Sequence, residues 1–188
     1  MNCKFISVLL IVLFIIGCAK KNDPFSISES HIGKLSKDAY ISQLDSIFKD
    51  DSLVKIEENS KFTISGNSYF EIYEKGGKKL LSIMPSTIKD SLQNIQNVQV
   101  YDNRYTTDKG ISLKSNFGEI KEKYQIKNTV TTLKNVIVNL KDSDLYFTIA
   151  REELPEDLRY GNQDIDQIQI PDEARIKYMM IDLSLRNP

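Results

Sequence analysis

The feature that most constrains this chain stands at its amino end. An apolar run, Phe5–Ile16, is interrupted only by Ser7, follows the basic Lys4, and stops at Gly17-Cys18 before the polar Ala19-Lys20-Lys21-Asn22-Asp23. Its 12 residues fall short of the ~20 that a spanning helix needs, so the segment reads as a cleavable signal peptide over residues 1–17 and stays outside the fold. The chain has two cysteines, Cys3 and Cys18, and Cys3 leaves with the signal. One remaining cysteine cannot close an intramolecular disulfide. The 171 residues that follow the signal must hold together by their core alone, which a chain of that length can do.

The sequence Ile15-Ile16-Gly17-Cys18 resembles the lipobox of bacterial lipoproteins: an aliphatic residue, a small or branched one, a small one, then cysteine. The resemblance implies that Cys18 is acylated and becomes the first residue of the mature protein. Each buried CH₂ contributes about 0.8 kcal/mol, so several acyl chains make a stable anchor. Residues 18–26 then form a lipidated tether, and residues 27–188 a globular domain. By resemblance to the sorting rule of enteric bacteria, Ala19 suggests the outer membrane, and the tether lacks the acidic run that some surface lipoproteins carry. The expected location is the cell envelope, on the outer membrane facing the periplasm. The expected partners are the membrane, through the acyl chains on Cys18, and an envelope protein.

Composition excludes a nucleic-acid partner. Once Lys4 is gone, 24 basic side chains face 26 acidic ones, and the lysines are scattered rather than gathered into a stripe.

Periodicity predicts an α+β fold, a mainly antiparallel sheet with two or three short helices packed on it. Ser26–Glu29 opens as a short strand. Asp38–Phe48 reads as a helix, with Ile41, Leu44, Ile47 and Phe48 on one face. Leu53–Glu57, Lys61–Ser65, Tyr69–Glu74 and Lys79–Met84 read as strands, with turns at Gly66-Asn67 and Gly76-Gly77. Ser86–Ile95 reads as a helix and Val98–Asp102 as a strand. Ser115–Tyr124 is a helix burying Phe117, Ile120 and Tyr124, and Asn116 with Glu119 has capping-box spacing. Val136–Leu140, Leu145–Ala150 and Ile176–Leu183 complete the strands, with Leu154–Asn162 a loop.

An internal echo links Gly33-Lys34-Leu35 and Ile41, Leu44, Phe48 to Gly110-Ile111-Ser112 and Phe117, Ile120, Tyr124. It leaves two readings open: one undivided domain, or two similar β-loop-α-β-β halves over 27–97 and 98–188. In the second half, Thr106-Thr107-Asp108-Lys109-Gly110-Ile111, Lys123-Tyr124 and Ile170-Pro171-Asp172-Glu173-Ala174-Arg175-Ile176 resemble small lipoproteins of Bacteroidota whose function is not established. The resemblance covers about half the chain and carries over no active site.

Chemistry is sparse. His31 is the sole histidine and the only base for a Ser-His-Asp set, and no G-x-S-x-G elbow accompanies it. Asp50-Asp51, Glu57-Glu58 and Glu152-Glu153 are sequence neighbours, whereas glycoside chemistry sets two carboxyls across a cleft. Asn162, Asp164, Asp166 and Glu173 match positions 1, 3, 5 and 12 of an EF-hand loop and form the candidate calcium set. Against it, Gln167 stands where the turn needs glycine and Pro171 lies inside the loop. Gly76-Gly77-Lys78-Lys79 reads as a hairpin turn rather than a phosphate loop. No catalytic residue and no cofactor is assigned, and whether the chain is an enzyme stays open, with the balance against. The expected function is a membrane-anchored, non-enzymatic binding or interaction module. The alternatives are a small-ligand or cell-wall-glycan binder, and a carboxylate-based hydrolase.

Replacing the acylated residue tests the anchor. Cys18→Ser should leave an unprocessed precursor, while mass spectrometry of the wild-type amino terminus should find acyl chains on Cys18. A free terminus at another residue would contradict the assignment.

Overall fold

Two-residue alternation carries most of the chain: Asn135–Leu140 sets Val136, Val138 and Leu140 inward and Asn135, Ile137 and Asn139 outward. The computed structural model describes residues 23–57, 68–87, 93–161 and 163–184. The strands are β1 (Ser26–Ile27), β2 (His31–Ile32), β3 (Leu35–Ser36), β4 (Ser52–Ile56), β5 (Tyr69–Tyr73), β6 (Lys79–Pro85), β7 (Ile95–Val100), β8 (Thr106–Thr107), β9 (Ile126–Thr131), β10 (Asn135–Leu140), β11 (Leu145–Ala150) and β12 (Ile176–Asp182). Eight of them form one antiparallel sheet in the order β4-β5-β6-β7-β12-β11-β10-β9. A small sheet, β3-β2-β1-β8, is antiparallel except where β1 meets β8. Gly33 turns between β2 and β3 at φ +57, and a Cβ there would stand 2.3 Å from the Pro24 carbonyl oxygen.

The fold is thus mostly antiparallel sheet with two short helices. The first is shorter than its periodicity predicts: a 3-10 turn, Ile41–Gln43, runs into a single α-turn, α1 (Leu44–Ile47). The second, α2 (Phe117–Lys123), is capped as its sequence predicts. Asn116 Oδ1 accepts from Glu119 N–H at 2.9 Å, and Glu119 Oε2 accepts from Asn116 N–H at 3.0 Å.

Two expectations need correction. Ile95 opens β7, so a helix does not extend to it; residues 88–92 of that expected helix lie outside the described residues. Lys61–Ser65 and Gly66-Asn67 also lie outside them, and β5 pairs directly with β4 through Leu53↔Ile72. The tether's last residues belong to the fold: Phe25 meets Tyr105 edge-on at 5.2 Å, and Ser26 begins β1.

Pairing aligns one inward row across the whole large sheet: Leu53, Ile72, Leu81, Val100, Met179, Phe147, Val138 and Thr129. From Ile72 to Val138 every member is buried. The small sheet (Ile27, Ile32, Leu35), the helices (Leu44, Phe117, Ile120) and the segment after β11 (Leu154, Ile165, Ile170) join the same apolar cluster. That last segment is ordered by Arg151, which is buried and donates to the carbonyls of Leu158 and Gly161 at 2.7 and 2.8 Å.

The same hydrogen bonds occur twice along the chain. Ile41 N–H donates to Gln93 O at 3.0 Å, and Phe117 N–H to Ala174 O at 2.9 Å. Tyr40 bridges Asn94 just before β7, and Asn116 bridges Arg175 just before β12. Phe48 N–H closes on Leu44 O and Tyr124 N–H on Ile120 O. Each helix is followed by four strands running from an edge of the large sheet to its centre, where β7 and β12 pair.

Ile120 is fully buried, and Lys121 beside it is exposed with its ammonium on Asp172. Ile120→Ala should destabilise by about 2–5 kcal/mol, and Lys121→Ala by no more than about 0.5 kcal/mol. Urea melts of the two variants check this; equal losses would contradict the helix's placement.

Candidate functional site

Residues one step out of phase with the inward row form the other face of the large sheet. The register lines up Val54, Glu71, Ser82, Gln99, Met180, Tyr146, Asn139 and Asn128. Beside that row stand Tyr69, Tyr73, Tyr101 and Tyr178, so five of the chain's nine tyrosines share this face. Val54 and Val130 are exposed on the outermost strands and Tyr101, at 41%, and Tyr178, at 37%, near the centre, while Glu71 and Ser82 between them are buried. Among the described residues no layer packs on it. An uncovered apolar or aromatic surface of this breadth marks an interaction site more often than chance exposure.

The polar groups of the face are mostly satisfied by one another. Glu71 accepts from both the Tyr73 hydroxyl and the Lys79 ammonium. Burial works to raise the Glu71 carboxyl, but these two bonds outweigh it and hold it below the usual range. Lys79 also lies 3.8 Å from the centre of the Tyr101 ring. Asn97 donates to the Tyr146 hydroxyl at 2.7 Å, and Asn139 donates to Asn128 Oδ1 at 3.1 Å.

At one end the face runs into an open cleft of about 1280 Å³. Its walls are the loop Ile27–Glu29, Tyr124, the start of β9 and the β10–β11 turn; Asn128, Asn139, Tyr146 and Asp182 belong to both cleft and face. Across the cleft, Lys37, 2% exposed, donates to both carboxylate oxygens of Asp144 at 2.8 and 2.9 Å. Lysine buried to this degree requires such a partner.

A second ionic cluster braces the opposite hairpin. Asp102, 0% exposed, accepts from Arg104 Nε at 2.9 Å, Arg104 N–H at 2.9 Å and Lys78 at 3.1 Å. The same guanidinium forks onto Glu74 at 2.8 and 3.0 Å and lies 4.0 Å from the Phe25 ring centre. Burial would raise the Asp102 carboxyl, but the bonds from Arg104 and Lys78 prevail and hold it at about 2.

The residues singled out by sequence are not gathered into a site. Cys18 and Asn162 lie outside the described residues. Asp166 caps the 3-10 turn Gln167–Gln169, its Oδ1 accepting from Ile168 N–H at 3.0 Å, and Asp164 and Glu173 are exposed. Among the described residues no three acidic or histidine groups come together to hold a metal. His31 sits among three serines: Ser26 Oγ at 2.9 Å, Ser28 Oγ at 2.7 Å and Ser30 Oγ at 3.2 Å. Ser26 Oγ gives its proton to the Asp23 carbonyl at 2.9 Å, so it accepts from the imidazole rather than being activated by it. Asp51 pairs with Lys34, Glu57 with Lys55 and Glu153 with Arg175. The tyrosine face, Lys37 and Asp102 escaped the sequence reading. The available signal was parity, Tyr69 and Tyr73 alternating with Phe70 and Ile72.

No protein-family model matches the chain, and no curated protein does. Among solved structures it is similar to the crystal structure of the uncharacterized protein yfeY from Escherichia coli, with a TM-score of 0.53 and 12% identity, over 84% of this chain and 99% of that one. At that identity the likeness is one of fold.

Because the folded Asp102 titrates below its unfolded value of about 3.9, its contribution is whole above that pH and is lost as pH falls toward 2. The stability gap between wild type and Asp102→Asn should therefore narrow by about 2 kcal/mol between pH 5 and pH 2. Urea melts across that window measure it, and a constant gap would contradict the clamp.

Proposed function

We propose that this chain is a lipid-anchored envelope protein whose domain is a non-enzymatic binding module, and that its binding surface is the uncovered, tyrosine-bearing face of the large sheet. The observation that carries the reading is the exposure of Tyr101 and Tyr178 near the centre of that face and of Val54 and Val130 on its edge strands. Anchoring follows from the lipobox at Ile15–Cys18, which puts the domain at a membrane through acyl chains, on the periplasmic side of the outer membrane. The resemblance to small lipoproteins of Bacteroidota agrees with this reading. The duplicated helix-to-strand bonds support the finer architecture, two similar halves joined through β7 and β12. The cleft favours a second reading, in which a small ligand enters beside Tyr146 and Asp182.

Tyrosine-selective labelling tests the main reading. Tyr101 and Tyr178 should be labelled in the purified protein and protected in intact envelopes. Tyr160, 79% exposed and on the segment after β11, should react equally in both. Equal labelling of all three in both settings would overturn it.

A further inference from the structure

We propose that the domain docks on a zwitterionic lipid surface through the end of the large sheet where its tether enters, with Leu133 and Ile168 as the side chains that reach into the lipid. This rests on the reading of the chain as lipid-anchored. It is carried by what is exposed at that end, by where the tether enters, and by the local charge.

Leu133, Tyr160 and Ile168, at 79%, 79% and 85%, are the most exposed large apolar side chains among the described residues. Singly such exposure is ordinary, but these three belong to turns that are bonded to one another. Arg151 N–H donates to the carbonyl of Lys134, next to Leu133, at 3.0 Å, and its guanidinium holds the carbonyls of Leu158 and Gly161 on either side of Tyr160. Ile165 ties the turn that carries Ile168 to β9: its N–H donates to Thr131 Oγ1 at 2.8 Å, and its carbonyl accepts from Thr129 Oγ1 at 2.6 Å. The side chains are held outward by closed turns. Thr132 N–H donates to Asn135 O at 2.8 Å around Leu133, and Asp166 caps the turn of Ile168. Ile165 and Ile170 flank that turn and are buried, while Ile168 between them faces water. Turn tips favour polar residues, so leucine and isoleucine here go against the local rule.

The tether enters at the same end. Phe25 lies under Arg104, which forks onto Glu74 at the β5–β6 turn. Along the inward row that joins Leu81 to Thr129, β6 starts on the same side as β9 ends, so the β5–β6 and β9–β10 turns share one end of the sheet. Five inter-strand spacings of about 4.8 Å put roughly 24 Å between β6 and β9. A single tether leaves the domain free to turn, and a second contact at that distance fixes its orientation. Residues 19–22 make a short link, which keeps the local concentration of the surface on the order of 1 mM, so a weak contact suffices.

Charge selects the kind of lipid. Exposed Glu156, Asp157, Asp164 and Asp166 neighbour these side chains along the chain, against Lys134 and Arg159. Such a surplus of acid is repelled by anionic lipid, so the surface that fits is one whose headgroups carry no net charge. Removal of Leu133 and Ile168 from water then supplies the attraction. Tyr160 suits the rim: its ring body meets the headgroups and its hydroxyl stays in water, where a water-borne tyrosine reagent still reaches it.

A fluorophore placed at each position tests the docking. Leu133→Cys, Ile168→Cys and, on the β10–β11 turn at the opposite end, Lys141→Cys each introduce one free thiol, because Cys3 leaves with the signal and Cys18 carries the acyl chains. All three positions are exposed, so the core stays intact. The mature protein, isolated from membranes and labelled, should be reconstituted into vesicles of phosphatidylcholine and phosphatidylethanolamine, with and without a quencher on the acyl chains. The quencher should lower the emission from positions 133 and 168 at least twofold and leave position 141 unchanged. Replacing part of the lipid with phosphatidylglycerol should weaken that quenching. Emission from 133 and 168 that the quencher does not lower, or lowers equally at 141, would overturn the docking, while acyl chains on Cys18 in the mass spectrum would leave the anchor standing. Quenching that phosphatidylglycerol strengthens would overturn the choice of a zwitterionic surface. If Cys18 carries no acyl chain and the protein fails to float with the vesicles, the anchor and the docking both fall.

Discussion

The pairing of β7 with β12 is the contact on which the rest of the molecule depends. It joins Val100 to Met179, Gln99 to Met180, Val98 to Ile181 and Asn97 to Asp182. Without it the large sheet would be two four-stranded pieces, each with an unpaired edge beside its most buried strand. Val98, Val100, Met179 and Ile181 would lose the neighbours that bury them almost completely. The register matters as much as the contact. A slip of one residue would carry Gln99 and Met180 inward and set Val98 and Ile181 against water. The residue-number difference between Gln99 and Met180 equals that between Asn94 and Arg175, the two positions bridged to the helix starts. The equal offset fits the proposed relation between two similar halves, which would meet at the Gln99–Met180 pair.

Two ionic clamps hold the halves reciprocally. Lys37, ahead of α1, reaches the β10–β11 turn through Asp144. Arg104, ahead of α2, reaches the β5–β6 turn through Glu74, with Asp102 and Lys78 closing the cluster. Each half thus fixes its own leading segment to a hairpin of the other. Buried ion pairs contribute little net stability over well-packed apolar groups, but breaking one leaves an uncompensated charge. The apolar cluster therefore supplies most of the stability, and loss of one partner of a clamp costs more than the clamp itself contributes.

What was legible in the sequence followed from local rules. The cap at Asn116, the stripe Phe117–Ile120, the Gly76-Gly77 turn and the strands on either side of Lys141–Asp144 depend on neighbours within a few residues. What was missed depends on distance. Ile126–Thr131 was not read as a strand because, as an edge strand, it carries Lys127, Asn128 and Thr129 instead of an apolar alternation. Lys37 looks like any surface lysine until the fold places Asp144 beside it. Tyr73, Tyr101, Tyr146 and Tyr178 lie on different strands, and only the pairing registers bring them to one face. The sequence offered an echo of apolar spacing at the helices, but gave no sign of the pairing of β7 with β12.

The proposed anchor and the proposed binding face bear on each other. Asp23–Ser26 enters the fold on the small sheet, where Phe25 packs on Tyr105 under Arg104. That layer covers the inward side of the large sheet, opposite the tyrosines. With Cys18 acylated, the four residues between it and Asp23 span at most about 18 Å, so the small-sheet side is held near the lipid headgroups. On that proposal the tyrosine face looks away from the bilayer. A tether much longer than this would let the domain turn over and lose that orientation, so the shortness of residues 19–22 has a geometric consequence that their sequence does not show.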